Sequence, residues 1–160
     1  MLFIEYINKL RNTFASQEYL QLIPNLTYSY TTAIIKEISI AVSDRDSEFL
    51  ESLLLVAIRD GLSKEYTLTL CGLLTEDWHY SQEDIALMLE EIQDERSVEC
   101  LYDASINVPD YDDGRSLAKK CIWALGAINT PAAIEKLNAL SHSQDSIIRE
   151  SSIEQLKNIK

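Results

Sequence analysis

Apolar residues recur three or four positions apart along almost the whole chain. In "MLFIEYINKLRNTF" the stripe is Leu2 or Phe3, Tyr6 or Ile7, Leu10 and Phe14. The same period predicts helices near 3–12, 30–42, 47–60, 64–75, 81–94, 96–106, 114–127, 131–141 and 145–159. A shorter helix is expected near 16–22, before Pro24. Start signals support these positions. Asp46 and Ser47 precede Phe49–Leu50, Ser81 and Asp84 make an S-x-x-D capping pattern, and Thr130 stands before Pro131. Short connections imply antiparallel neighbours. Four Gly and three Pro are too few for a turn-rich β fold.

The helices also repeat. "LEEIQDERSVECLYDAS" (89–105) aligns with "LGAINTPAAIEKLNALS" (125–141), bringing Leu89 onto Leu125, Ile92 onto Ile128, Val98 onto Ile134 and Leu101 onto Leu137. "GRSLAKKCIWAL" (114–125) aligns in turn with "IRESSIEQLKNI" (148–159), with Arg115 on Arg149. A period of about 35 residues with two helices per unit is the signature of a stacked α-solenoid.

Residues 113–160 resemble HEAT repeats. Asp113 supplies the turn, Arg115 the early arginine of the first helix, Ala124–Leu125–Gly126 its end, Thr130–Pro131 the loop, and Ile134, Leu137 and Leu140 the spaced apolar positions of the second helix. The likeness is weaker over 81–106, and residues 1–45 lack its Arg and Gly. It implies an all-α fold of nine or ten helices: antiparallel pairs stacked as a short right-handed HEAT-like solenoid. The chain is expected to form a single domain, 1–160, with atypical helices over 1–45 and HEAT-like pairs over 46–160.

In such a stack the loops between units emerge on one edge. They fall here at 43–46, 76–80, 107–113 and 142–144. A 36-residue shift brings Glu76 onto Asp112 and Asp77 onto Asp113, so these turns are expected side by side at helix-packing distance, about 10 Å. Asp44 and Asp46 would extend the row on one side and Asp145 on the other.

Charge sharpens this picture. The net charge is −12, and residues 76–113 hold thirteen acids and one base, Arg96. The segments on either side cancel. No basic cluster beyond Lys119–Lys120 exists to displace counterions from a nucleic acid, and an anionic membrane would repel the chain. A concentrated acidic patch suits a basic protein partner. The candidate partner-binding residues are Glu76, Asp77, Trp78, Tyr80, Glu83, Asp84, Leu87, Glu91, Asp110, Tyr111, Asp112 and Asp113. Trp78, Tyr80 and Tyr111 suit cation–π contacts with Lys or Arg, with Tyr102 a weaker candidate. Leu87 is an apolar anchor ringed by carboxylates, or packs on the next repeat.

The same residues offer little chemistry. His79 stands near Asp77 and Glu83, but only His142 joins it, and no CxxC or HExxH spacing occurs. "PDYDDGR" lacks the position-six Gly and position-twelve Glu of a calcium loop. No phosphate-cradling Gly loop or nucleophile elbow is present. The expectation is no metal, no cofactor, no catalytic residue and no enzymatic activity. Cys71, Cys100 and Cys121 are expected to be buried reduced thiols. With no leader and no apolar run of about 20 residues, the expected location is the cytoplasm.

In overall look the chain is also similar to compact helical immunity proteins of bacterial toxin systems, including contact-dependent growth inhibition. That likeness implies neutralisation of a cognate basic, nuclease-type toxin by covering its active site or nucleic-acid face. The alternatives are a HEAT-like adaptor or assembly factor in a larger complex, and an accessory to a cofactor-bearing enzyme.

Overall fold

The computed structural model describes residues 30–107, 109 and 112–159, and among them every regular element is helical. The helices are α1 (Thr31–Asp44), α2 (Ser47–Asp60), α3 (Thr67–Leu73), α4 (Gln82–Ile92), α5 (Val98–Ile106), α6 (Ser116–Ile128), α7 (Pro131–Leu140) and α8 (Ser146–Asn158). Each matches an expected segment. Those expected at 3–12 and 16–22 lie outside the described residues. Two helices open tighter than the period implied: 3₁₀ turns at Lys64–Tyr66 and Glu95–Ser97 lead into α3 and α5.

The chain divides into two compact units, 1–61 and 62–160. In the first, α1 and α2 pack as a hairpin. The Tyr30 N–H donates to Asp60 Oδ1 at 3.0 Å, closing the start of α1 onto the end of α2. Asp46 caps α2 by accepting from the Phe49 N–H at 2.9 Å.

In the second unit α4, α6 and α8 form one layer, and α3, α5 and α7 the other. α6 is the hub, packing on α4, α5, α7 and α8. Its sequence explains this. Leu117, Ala118, Cys121, Ile122, Ala124, Leu125 and Ile128 are all buried, an apolar arc wide enough for neighbours on several sides. α8 buries only Ile148 and Ser152, as suits the last rib of a stack. Gly126 lets α8 approach: a Cβ there would lie 3.3 Å from Gln155 Cβ and closer still to its amide oxygen.

The repeat is visible in the turns. Gln93 ends α4 and Asn129, 36 residues on, ends α6, both left-handed (φ 52° and 50°). In each case the next residue caps the succeeding helical turn: Asp94 accepts from the Arg96 N–H at 3.1 Å, and Thr130 from the Ala133 N–H at 3.4 Å. Two local expectations are corrected. Ser81 makes no side-chain cap at α4; its backbone N–H donates to the His79 ring. Cys71 and Cys100 are not free thiols; they form a disulfide joining α3 to α5, with Cα atoms 5.6 Å apart. Their spacing of 29 residues carries no hint of this, since only the stacking of α3 beside α5 brings them together. Cys121 is buried and free, its thiol pushed up to about 12 by desolvation.

Candidate functional site

The loop from α3 to α4 is held from inside by two buried polar side chains. His79 is 1% exposed. Its Nε2–H donates to the Leu73 carbonyl at 3.0 Å, and its Nδ1 accepts from the Ser81 N–H at 3.1 Å. Both partners fix one neutral tautomer, and burial lowers the imidazole pKa below its ordinary 6.5. Gln82 donates from Nε2 to the carbonyls of Glu76 (2.6 Å) and His79 (2.8 Å). Trp78 lies edge-on to the His79 ring, centroids 4.8 Å apart. So a loop full of carboxylates is a braced turn that turns other side chains outward. Asp77 is exposed, and Tyr80 is 90% exposed.

The following inter-unit loop comes up beside it. Leu74, Glu76, Asp77, His79 and Tyr80 line one cavity of about 180 Å³ together with Ala104, Asn107 and Pro109. Turns some thirty residues apart along the chain are therefore neighbours.

The second loop differs in one important respect. Asp112 is only 7% exposed. Its Oδ1 accepts from the Ser116 N–H at 2.7 Å and its Oδ2 from the Leu117 N–H at 3.1 Å, capping α6. This corrects its place among the surface acids. The cap is needed because Arg115 enters the helix left-handed, φ 54°, and leaves the first-turn N–H groups to a residue further back. Asp113 is exposed, while Asp110 and Tyr111 lie outside the described residues.

Two expected extensions of the row are also corrected. Asp46 is the cap of α2. Asp145 accepts from the Ile147 and Ile148 N–H groups and from Arg115 Nε at 2.7 Å. The Arg115 guanidinium holds its carboxyl below the usual range, helped by those N–H groups. Asp94 is likewise pulled far down, chiefly by Arg96, whose Nε donates to it at 2.8 Å; Thr67 adds a bond at 2.9 Å.

Lysines of the C-terminal part neutralise other acids. Lys120 on α6 pairs with Glu83 on α4, and Lys136 on α7 pairs with Glu99 on α5 at 2.9 Å, each pair 37 residues apart. Lys136 also sits 4.6 Å from the Tyr102 ring centroid, so that ring face is used internally. Among the described residues, the candidate acids with neither an ionic partner nor a capping role are Glu76, Asp77, Asp84, Glu91 and Asp113. Leu87 is 39% exposed between Asp84 and Glu91 on α4. Sequence reasoning does not reach the bracing by His79 and Gln82 or the lysine pairing; only the recurring 37-residue spacing hints at the latter. No group of three His, Cys, Asp or Glu able to hold a metal occurs among the described residues.

These elements define a HEAT-like helical solenoid, with exposed carboxylates on the loop between α3 and α4 and on the turn before α6. Among solved structures the chain is similar to human deoxyhypusine hydroxylase in complex with glycerol, at 19% identity and a TM-score of 0.61. The likeness covers 96% of this chain and 53% of that one, so the chain spans about half the length of the structure it matches. No family model and no curated protein sequence matches the chain. At this identity the likeness shows the fold alone. It does correct one expectation. The sequence pattern points away from enzymatic activity, yet the matched scaffold belongs to an enzyme, so that exclusion does not stand. No helix among the described residues is long and apolar enough to cross a membrane.

Proposed function

We propose that this chain is a protein-binding module that holds a basic partner against its acidic edge, and that in its most specific form it is an immunity protein neutralising a basic, nuclease-type toxin. The observation supporting this reading is the convergence of two loops on one cavity, with Glu76, Asp77 and Tyr80 on its wall and the exposed Asp113 on the second loop. A toxin surface that accepts a phosphate backbone also accepts a row of carboxylates. Long-range attraction speeds encounter, and aromatic contacts slow release. The test is to co-express the chain with the product of an adjacent toxin gene. The reading expects co-purification and loss of nuclease activity. A toxin that stays active and unbound counts against the immunity form and leaves the adaptor form.

A second reading is favoured by the matched enzyme: the same edge holds a basic protein as a substrate. A covalent mass change in the bound partner, dependent on this chain, separates the two readings.

A cytoplasmic setting belongs to the same proposal, and the Cys71–Cys100 bridge tests it. Reducing compartments keep thiols reduced. Protein taken from native cells and alkylated at once is expected to show both cysteines modified if the setting is cytoplasmic. A bridge intact by mass spectrometry places the chain in an oxidising compartment.

A further inference from the structure

Each helix of the α4–α6–α8 layer carries one large apolar side chain that the core does not take up. Leu87 is 39% exposed, Trp123 39% and Ile153 37%. Leu87 and Trp123 occupy equivalent places, whereas the shift that brings Arg115 onto Arg149 brings Trp123 onto Lys157, so Ile153 lies one helical turn before the equivalent position. Leu87 and Trp123 are 36 residues apart, the shift that relates the left-handed ends Gln93 and Asn129. Both are flanked by buried residues: Ala86 and Met88 on α4, Ile122 and Ala124 on α6. Trp123 and Ile153 are each the eighth residue of a 13-residue helix. Since α6 packs on both α4 and α8, the three side chains lie exposed on adjacent ribs.

We propose that Leu87, Trp123 and Ile153 form a docking stripe for an amphipathic helix of a basic partner protein. The proposal rests on the protein-binding reading and adds the partner's shape. Adjacent ribs stand about 10 Å apart. A helix rises about 1.5 Å per residue, so about seven residues, two turns, span one rib and return to the same face. The occupant therefore carries apolar side chains at about every seventh position over three ribs.

Charge sets its nature and direction. On α4, Asp84 and Glu91 lie one turn to either side of Leu87, both exposed and without an ionic partner among the described residues. Beside Trp123, Lys120 is already paired to Glu83, leaving Lys119. Around Ile153 the charges are mixed: Arg149, Glu150, Glu154 and Lys157. The negative end of the stripe is α4, so the occupant places Lys or Arg there. A second copy of this chain is a poor occupant, because each copy brings a net charge of −12.

The test is photo-crosslinking in native cells, using the full chain with benzoylphenylalanine in place of Trp123, Ile153 or, separately, Tyr80 on the loop edge. The proposal expects positions 123 and 153 to label one segment of a basic protein. That segment should have apolar residues at about seven-residue spacing, with Lys or Arg at the end nearer α4. Labelling should fall at least about tenfold in Leu87→Asp, a change at an exposed position worth roughly 1.4 kcal/mol by the equilibrium relation. No crosslink at 123 and 153, a crosslink only to a second copy, or labelling unchanged by Leu87→Asp overturns the stripe. Crosslinking from 80 alone keeps the edge reading and removes the stripe. Crosslinking from 123 and 153 but not 80 keeps the stripe and removes the loop edge as the contact.

Discussion

Carboxylates that look alike in sequence have opposite duties in this protein. Asp112 and Asp113 are adjacent letters, yet one caps a helix from a buried position and the other faces solvent. Asp112→Ala should cost about 1–2 kcal/mol through loss of the cap, whereas Asp77→Asn and Asp113→Asn should stay within about 0.5 kcal/mol of the parent; chemical denaturation of the three variants checks this. His79 gives a pH signature. Its folded-state pKa lies below 6.5, so the unfolded chain binds the proton first. The stability it contributes is complete above about pH 6.5 and is lost as pH falls through the folded value. The midpoint of thermal unfolding should drop on acidification from neutral to about pH 5.5, and His79→Gln should flatten that drop. An unchanged slope means that His79 is not the proton-linked group.

Helices and turns are the most legible level. The 3.6-residue period locates every described helix, and the 36-residue shift also relates Gln93 to Asn129, which the structure finds left-handed at both helix ends. The chemistry inside the turns is hidden, because capping and pairing depend on which neighbour the stack delivers. Nothing local in "DDGRS" says that Arg115 takes a left-handed conformation, reaches Asp145 and leaves Asp112 to cap α6. Nothing in the spacing of Cys71 and Cys100 says that α3 and α5 adjoin. Two substitutions probe these junctions between elements. Arg115→Ala removes bonds to both Asp145 and the Asp112 carbonyl, and should destabilise by about 1–2 kcal/mol. Gly126→Leu places a side chain where Gln155 now packs. It should cost about 1–3 kcal/mol, partly restored by Gln155→Ala if the α6–α8 approach is the cause. Differential scanning calorimetry of the single and double variants reads both.

At the scale of the whole molecule the question is whether the remaining negative charges act together. Much of the −12 is concentrated in residues 76–113, but Glu83, Asp94, Glu99 and Asp112 are spent on internal partners. Of what is left, Glu76 and Asp77 lie on the α3–α4 loop, Asp84, Glu90 and Glu91 on α4 and Asp113 in the turn before α6, while Glu95 and Asp103 stand apart from them, in the 3₁₀ turn leading into α5 and on α5 itself. Solvent-exposed charges of this kind are screened beyond about 8 Å at physiological salt, so partner capture should weaken as salt rises. The most direct measurement is recovery of basic proteins from native cells by the parent and by the Glu76→Gln, Asp77→Asn, Asp113→Asn triple variant, at low and raised salt, with matched unfolding curves. A collective edge predicts a basic partner bound by the parent, released by salt and lost by the variant. Equal recovery by both proteins, indifferent to salt, would contradict it.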